Sequence, residues 1–231
     1  MNKYISKQPY FFTMAGLPRA GKSTFFQERI KDKTFPEDGF IMSPDLTMES
    51  INEYQIDKKQ NPITAFEKWE IPARRIAFNL LDNALQKKQN IIQDMGCALP
   101  ESFVKINSIR YEHKYKVIMY WIHTDTEIVI QRIENDRSRQ FFPKEEILKR
   151  EAALKEFFID YFSLSHEFYL YNNSKDRNIY ELVGKKQSNK FHLITPQSLP
   201  SFMRKQLEDR NLLVTPLQSF NTLFDQDSNL L

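Results

Sequence analysis

The run Gly16-Leu17-Pro18-Arg19-Ala20-Gly21-Lys22-Ser23 satisfies the spacing G-x-x-x-x-G-K-[ST], and those residue types at that spacing can grip a polyphosphate. Successive backbone N–H groups must wrap the anion, which demands glycine wherever a Cβ would obstruct the turn or the phosphate. A helix that starts where the loop ends points its positive terminus at the same charge. Lys22 should then reach the β- and γ-phosphates, and Ser23 should offer its hydroxyl to Mg²⁺. Thr24, one step further round the helix, either packs or meets the α-phosphate. Arg19 either adds charge to the phosphate site or is a solvated surface side chain. The chain holds only 5 glycines, well under the ~7% usual in proteins, so two of them five residues apart mark a backbone requirement.

Such a loop works only between a buried strand and a helix. Tyr10-Phe11-Phe12-Thr13-Met14-Ala15 is β-prone and runs straight into Gly16. Further strands are predicted at Phe40–Met42, at 90–93, at Val117–Ile122 and at 168–171, and their continuous apolar runs imply burial on both faces. Between the second and third, Ala73, Ile76, Ala77, Leu80, Leu81, Ala84 and Leu85 recur at helical spacing and predict one apolar face. Thr124-Asp125-Thr126-Glu127 predicts a capping box opening a helix through Ile133, and Pro143 with Lys144-Glu145-Glu146 predicts the first turn of another. Strands alternating with helices predict an α/β fold, a three-layer P-loop NTPase-type sandwich with a mostly parallel sheet of about five strands. The pattern weakens from Gly184 onward. A division follows into a domain over 1–190 and a C-terminal extension over 191–231, in which Phe191–Ile194 could add a strand and 199–211 a short helix.

Bulk composition narrows the function classes. At 231 residues the prior is one domain, at about 150 residues per domain. A hydrophobic share of 41% with 27% charged residues excludes a collagenous or disordered chain, and no apolar run approaches the roughly 20 residues of a membrane span. The net charge is 33 − 30 = +3, compatible with an anionic substrate and too mild to demand nucleic acid. Cys97 has no second cysteine to pair with, and Met1–Lys7 lacks a signal peptide's apolar core, so a cytoplasmic location is expected. The four histidines show no metal-ligand spacing.

Gly16–Thr24 resembles the loop of the zeta-toxin and polynucleotide-kinase-like group of P-loop kinases, whose members often carry proline at the third position. Ser43-Pro44-Asp45 is similar to that group's Ser-x-Asp, Ile91-Ile92-Gln93-Asp94-Met95-Gly96 to its apolar run before Asp-x-Gly, and 132–139 before Phe142-Pro143 to its arginine-rich lid. The resemblance spans roughly residues 8–173. Two departures stand out: Met48 occupies the position where many relatives have an arginine, and the lid has Gln140 three residues before its proline with Arg139 one place earlier.

The resemblance implies an ATP- and Mg²⁺-dependent kinase, with GTP not excluded, that transfers a phosphoryl group to a hydroxyl of a small molecule such as a nucleotide or nucleotide sugar. Asp45 would accept the acceptor's proton, unless it is an ordinary helix cap. Asp94 would hold Mg²⁺ through a water alongside Ser23, or else stabilise its loop. Arg132, Arg137 and Arg139 would carry transition-state charge from the lid, or pair with neighbouring carboxylates on the surface. Trp69, Arg74 and Arg75 lie where such kinases bind substrate, although Trp69 is equally suited to a core. Cys97 reads as a buried, inert thiol. The alternatives are a 5′-hydroxyl polynucleotide kinase and a catalytically impaired nucleotide-binding regulator that docks a protein partner through its C-terminal tail. The GTPase pattern Asn-Lys-x-Asp does not occur in the sequence.

Overall fold

The computed structural model describes residues 8–135, 143–175 and 179–215. Its framework is a sheet whose strands are β1 (Tyr10–Ala15), β2 (Phe40–Met42), β3 (Ile91–Gln93), β4 (Lys116–His123), β5 (Glu167–Asn172), β6 (Glu181–Gln187), β7 (Lys190–Leu193) and β8 (Leu213–Val214), in the order β2-β3-β1-β4-β5-β6-β7-β8. The first five are mutually parallel. β6 and β7 are antiparallel additions, and β8 lies parallel to β7.

The helices are α1 (Lys22–Lys31), α2 (Pro44–Glu49), α3 (Asn52–Gln60), α4 (Pro62–Gln86), α5 (Pro100–Tyr111), α6 (Thr126–Asn135), α7 (Lys144–Leu164) and α8 (Ser201–Asp209). Successive strand residues face opposite ways, and β4 shows the consequence. Tyr120 meets Phe25 of α1, while its neighbour Trp121 meets Phe158 and Tyr161 of α7. Both faces of the central strands are therefore covered, which explains why the strands read as unbroken apolar runs.

The eight-stranded sheet corrects the expectation of about five strands. Of the added strands, β7 falls on the run Phe191–Ile194 that the sequence offered as an extra strand, and α8 on the short helix offered over 199–211, whereas β6 and β8 were not expected. β6 and β7 form a hairpin closed by Ser188 and Asn189, both at positive φ (47° and 62°), in a two-residue turn. It carries no glycine at the turn, and Lys185, Lys186 and Gln187 leave β6 with little apolar signal. Phe191 of β7 and Met203 and Leu207 of α8 nevertheless belong to the main core.

Two helix expectations also change. The predicted run 73–85 is the second half of the longer α4, which contains Pro72. That half buries Ala73, Ala77, Leu81, Ala84 and Leu85, whereas Ile76 and Leu80 each stay 43% exposed, because the buried positions follow a narrower stripe than the full apolar set. The part of α4 up to and including Ala73 helps build a second, smaller core of Met48, Tyr54, Ala65 and Ala73, with Ile51, Phe66 and Trp69 packed against it. The capping box at Thr124 does not form as expected. The helix begins at Thr126, and the Thr124 hydroxyl donates to the Ala20 carbonyl instead (3.2 Å).

Candidate functional site

In an open parallel sheet, ligands bind where the carboxyl ends of the strands open into loops. Here the turns after β1, β2, β3, β4 and β5 converge. β1 lies between β3 and β4, so the loop 16–21 sits between the turn Asp94–Gly96 and the turn Thr124–Asp125. Gly16 N–H donates to the Gly96 carbonyl (3.1 Å), joining two of these turns directly. A Cβ at Gly96 would come within 2.9 Å of the Gly16 carbonyl and 3.2 Å of Lys22 Cε, so the absent side chain permits the close approach.

α1 starts immediately after the loop, with Gly21 at its N-cap at φ 95°. No side chain caps this helix end, and its first-turn amides lack intrahelical partners, the arrangement that suits an anion. Leu17 and Ala20 are buried and anchor the loop from beneath, Pro18 is half-buried, and Ser23 and Thr24 lie on the exposed side.

Lys22 leads the site's electrostatics. Its ammonium donates to the Leu17 carbonyl at 2.6 Å. Burial pushes its pKa down to about 8, against the opposing pull of Asp94, Cys97 and Asp45, while Arg150 pushes it down further. Asp94 follows the buried β3, and its N–H donates to the Met42 carbonyl of β2 (2.9 Å). Burial raises its pKa and Asp45 adds to the rise, while Lys22 and the Ser23 hydroxyl oppose it. Ser23 Oγ lies 3.5 Å from Asp94 Oδ1. A hydroxyl and a carboxylate side by side are hard oxygen donors, and they fit Mg²⁺ held beside a polyphosphate.

Asp45 lies in the first turn of α2, but the helix cap is Ser43, whose Oγ accepts from Leu46 N–H at 3.3 Å. The Asp45 carboxylate is exposed and uncommitted among the described residues, and its charge still acts on Lys22 and Asp94. Lys22, Ser23, Asp45 and Asp94 are thus brought together.

The other candidates are placed differently. Arg132, on α6, donates to the Arg19 carbonyl (3.3 Å) and to the Asn173 carbonyl (2.8 Å), at the rim of the loop. Arg19 itself takes the left-handed conformation at φ 61°. Arg137 and Arg139 lie outside the described residues. Trp69 Nε1 donates to Asp57 Oδ2 (2.7 Å) within the small core, Arg74 pairs with Glu70 on its own helix (2.7 Å), and Arg75 faces solvent. Met48, where an arginine was expected from the resemblance, is buried in that same small core. Burial pushes the Cys97 thiol up to about 11, and its sulfur lies 3.3 Å from the Thr13 hydroxyl.

Sequence reasoning passed over Arg150, the α7 residue whose charge reaches Lys22. It pairs with Glu146 one turn earlier (3.0 Å), and an i,i+4 ion pair on a charged helix looks like surface decoration in a sequence. It also passed over Asn173 and Tyr180. Asn173 is fully buried and its Nδ2 donates to the Ala20 carbonyl (2.8 Å). The Tyr180 hydroxyl donates to the Gly21 carbonyl (2.7 Å).

Among the described residues no group of His, Cys, Asp and Glu forms a metal cluster, and no helix is long and apolar enough to cross a membrane. A search of the curated proteins found no match. Solved structures match in fold. One is from the PezAT chromosomal toxin-antitoxin system of Streptococcus pneumoniae, at 16% identity and a TM-score of 0.59, covering 88% of this chain and 84% of that one. Another is the AvrRxo1-ORF1:-ORF2 complex, at 16% identity and 0.60, covering 93% and 74%. A structure of the AvrRxo1 pair with ATP gives 13% and 0.61, covering 87% and 63%. The sequence itself decides the family. The Zeta toxin family model matches residues 2–168, most of the chain and the turns that follow β1, β2, β3 and β4, and this protein therefore belongs to the zeta-toxin family.

Proposed function

We propose that the protein is an ATP- and Mg²⁺-dependent kinase that phosphorylates a hydroxyl of a small molecule, with Asp45 as the base. Family membership and fold support a nucleotide-binding phosphotransferase, and a related fold has been solved with ATP. The observation that carries the finer reading is the uncommitted Asp45 carboxylate, which shares one electrostatic neighbourhood with the Lys22 ammonium and Asp94.

The 16–21 loop and the start of α1 hold the α- and β-phosphates through backbone amides. Lys22 exchanges its bond to the Leu17 carbonyl for phosphate oxygens, and its position favours the charge that develops as the γ-phosphoryl group moves. Ser23 and Asp94 would hold Mg²⁺, which neutralises phosphate charge when bound. Asp45 accepts the acceptor's proton as that oxygen bonds to phosphorus and the bond to the β-phosphate oxygen breaks, giving a phosphomonoester and ADP. We assign Arg150, with Arg137 and Arg139 from the preceding segment, to the migrating phosphoryl group, because guanidinium forks match its oxygens. Arg132 braces the nucleotide loop from its rim.

The test is transfer from γ-labelled ATP to pools of metabolites and oligonucleotides. We expect label on a small molecule, loss of nucleotide binding in Lys22→Ala, and in Asp45→Asn unchanged ATP affinity with kcat reduced by about 10²–10⁴. Label on a nucleic-acid 5′ end would replace this reading with a polynucleotide kinase. ATP binding without transfer to any pool would leave a nucleotide-binding regulator.

A further inference from the structure

We propose that Tyr180, Asn173 and Thr124 are positioning residues for the nucleotide, acting through the outward carbonyls of the phosphate loop. The inference rests on the kinase reading above and assigns a role to residues outside the loop motif. Successive carbonyls of the loop are held by side chains from separate elements. The Ala20 carbonyl accepts from Thr124 Oγ1 (3.2 Å), at the end of β4, and from Asn173 Nδ2 (2.8 Å), at the end of β5. The Gly21 carbonyl accepts from the Tyr180 hydroxyl (2.7 Å), just before β6.

A trans peptide is planar, with its C=O and N–H pointing in opposite directions. Holding the Ala20 carbonyl therefore fixes the direction of the Gly21 N–H, and holding the Gly21 carbonyl fixes that of the Lys22 N–H. Both amides are turned away from the bracing side chains, toward the concave side where a phosphate would sit. The Gly21 carbonyl also accepts the first bond of α1 from Phe25 N–H (3.0 Å), so Tyr180 tightens a peptide that the helix already orients, whereas without Thr124 and Asn173 the Ala20–Gly21 peptide would have to be oriented at the moment of binding; either loss comes at a cost in affinity.

Gly21 is the counterpart of this brace. A Cβ there would lie 2.5 Å from Asn173 Nδ2 and 2.9 Å from the Tyr180 oxygen. The missing side chain thus leaves room for the donors as well as allowing the positive φ. Tyr180 is well placed for the task, since its ring packs edge-on against Phe25 of α1 (5.1 Å between centroids). Removing the hydroxyl alone would leave that packing in place.

The measurement is calorimetric binding of ATP, ADP and adenosine, with Mg²⁺, to the full chain and to Tyr180→Phe and Thr124→Val, together with thermal denaturation of each. We expect each variant to weaken ATP and ADP about equally, by roughly three- to tenfold, the effect of one lost hydrogen bond. Adenosine, which reaches no phosphate amide, should bind each variant as it binds the unaltered chain. If Tyr180→Phe binds ADP as tightly as the unaltered chain, the proposal is overturned while the kinase reading stands. An equal loss for adenosine would also overturn it, because the effect would then be on the fold or the base site. Failure of the unaltered chain to bind ATP or ADP would overturn both.

Discussion

At the scale of single residues, Lys22 joins the structure to a measurable pH dependence. Burial holds its pKa near 8 in the free protein, and a bound triphosphate would raise it by opposing charge. The protonated form is the one that binds, so nucleotide affinity should be full below pH 8 and decline as pH rises through the window above it. Calorimetry at pH 8.5 in two buffers of different ionisation enthalpy should detect net proton uptake on ATP binding. The same measurement at pH 6.5, where Lys22 is already protonated, should show less uptake from this group. Lys22, Ser23 and the two glycines were legible in the sequence because a backbone that wraps phosphate tolerates few residue types. Asn173 and Tyr180 were not, since they are ordinary residues more than 150 positions from the carbonyls they hold. Nothing local distinguishes them.

At the scale of elements, α4 serves two masters, and this is where the sequence was least informative. Its C-terminal half packs on the sheet and its N-terminal half on α2 and α3. A single apolar stripe calculated over 73–85 cannot report a helix whose burial changes partner along its length. Trp69 illustrates the change, having been equally suited to substrate or core. The structure gives its indole N–H to Asp57 of α3, a carboxylate also paired with Lys68 (2.7 Å). The ion pair and the indole both hold the Asp57 carboxyl below its usual range. Trp69→Phe should keep most of the apolar contact and lose the bond to a charged partner. We expect a lower midpoint in urea unfolding, with ATP affinity unchanged because the small core does not touch the phosphate loop.

At the scale of the whole molecule, the strands after β5 are integral to the core. Lys186 of β6 donates to the carbonyls of Phe162 (2.8 Å) and Ser165 (2.6 Å), and Arg110 to those of Ser163 and Leu164, so two cations close the C-terminal end of α7. Phe191, Met203 and Leu207 are fully buried. Burying each such side chain contributes about 1.5–3 kcal/mol, so losing all three costs a large part of the roughly 5–15 kcal/mol that stabilises a domain. A chain ending at Lys190 should therefore lack a cooperative thermal transition in circular dichroism. The parallel half of the sheet was readable from its apolar runs. Of the antiparallel additions only β7 was readable, from Phe191–Ile194; β6 was not, because it ends in Lys185, Lys186 and Gln187 and its burial depends on α7 lying across it.

The two tryptophans divide between the two cores: Trp121 is buried in the sheet among Phe158, Tyr161 and Phe168, and Trp69 lies in the helical annex. The molecule thus carries one intrinsic fluorophore in each of its compartments. Emission from a chain retaining only one indole would report on that compartment alone, allowing rearrangement of the annex during turnover to be followed separately from the sheet without any attached dye.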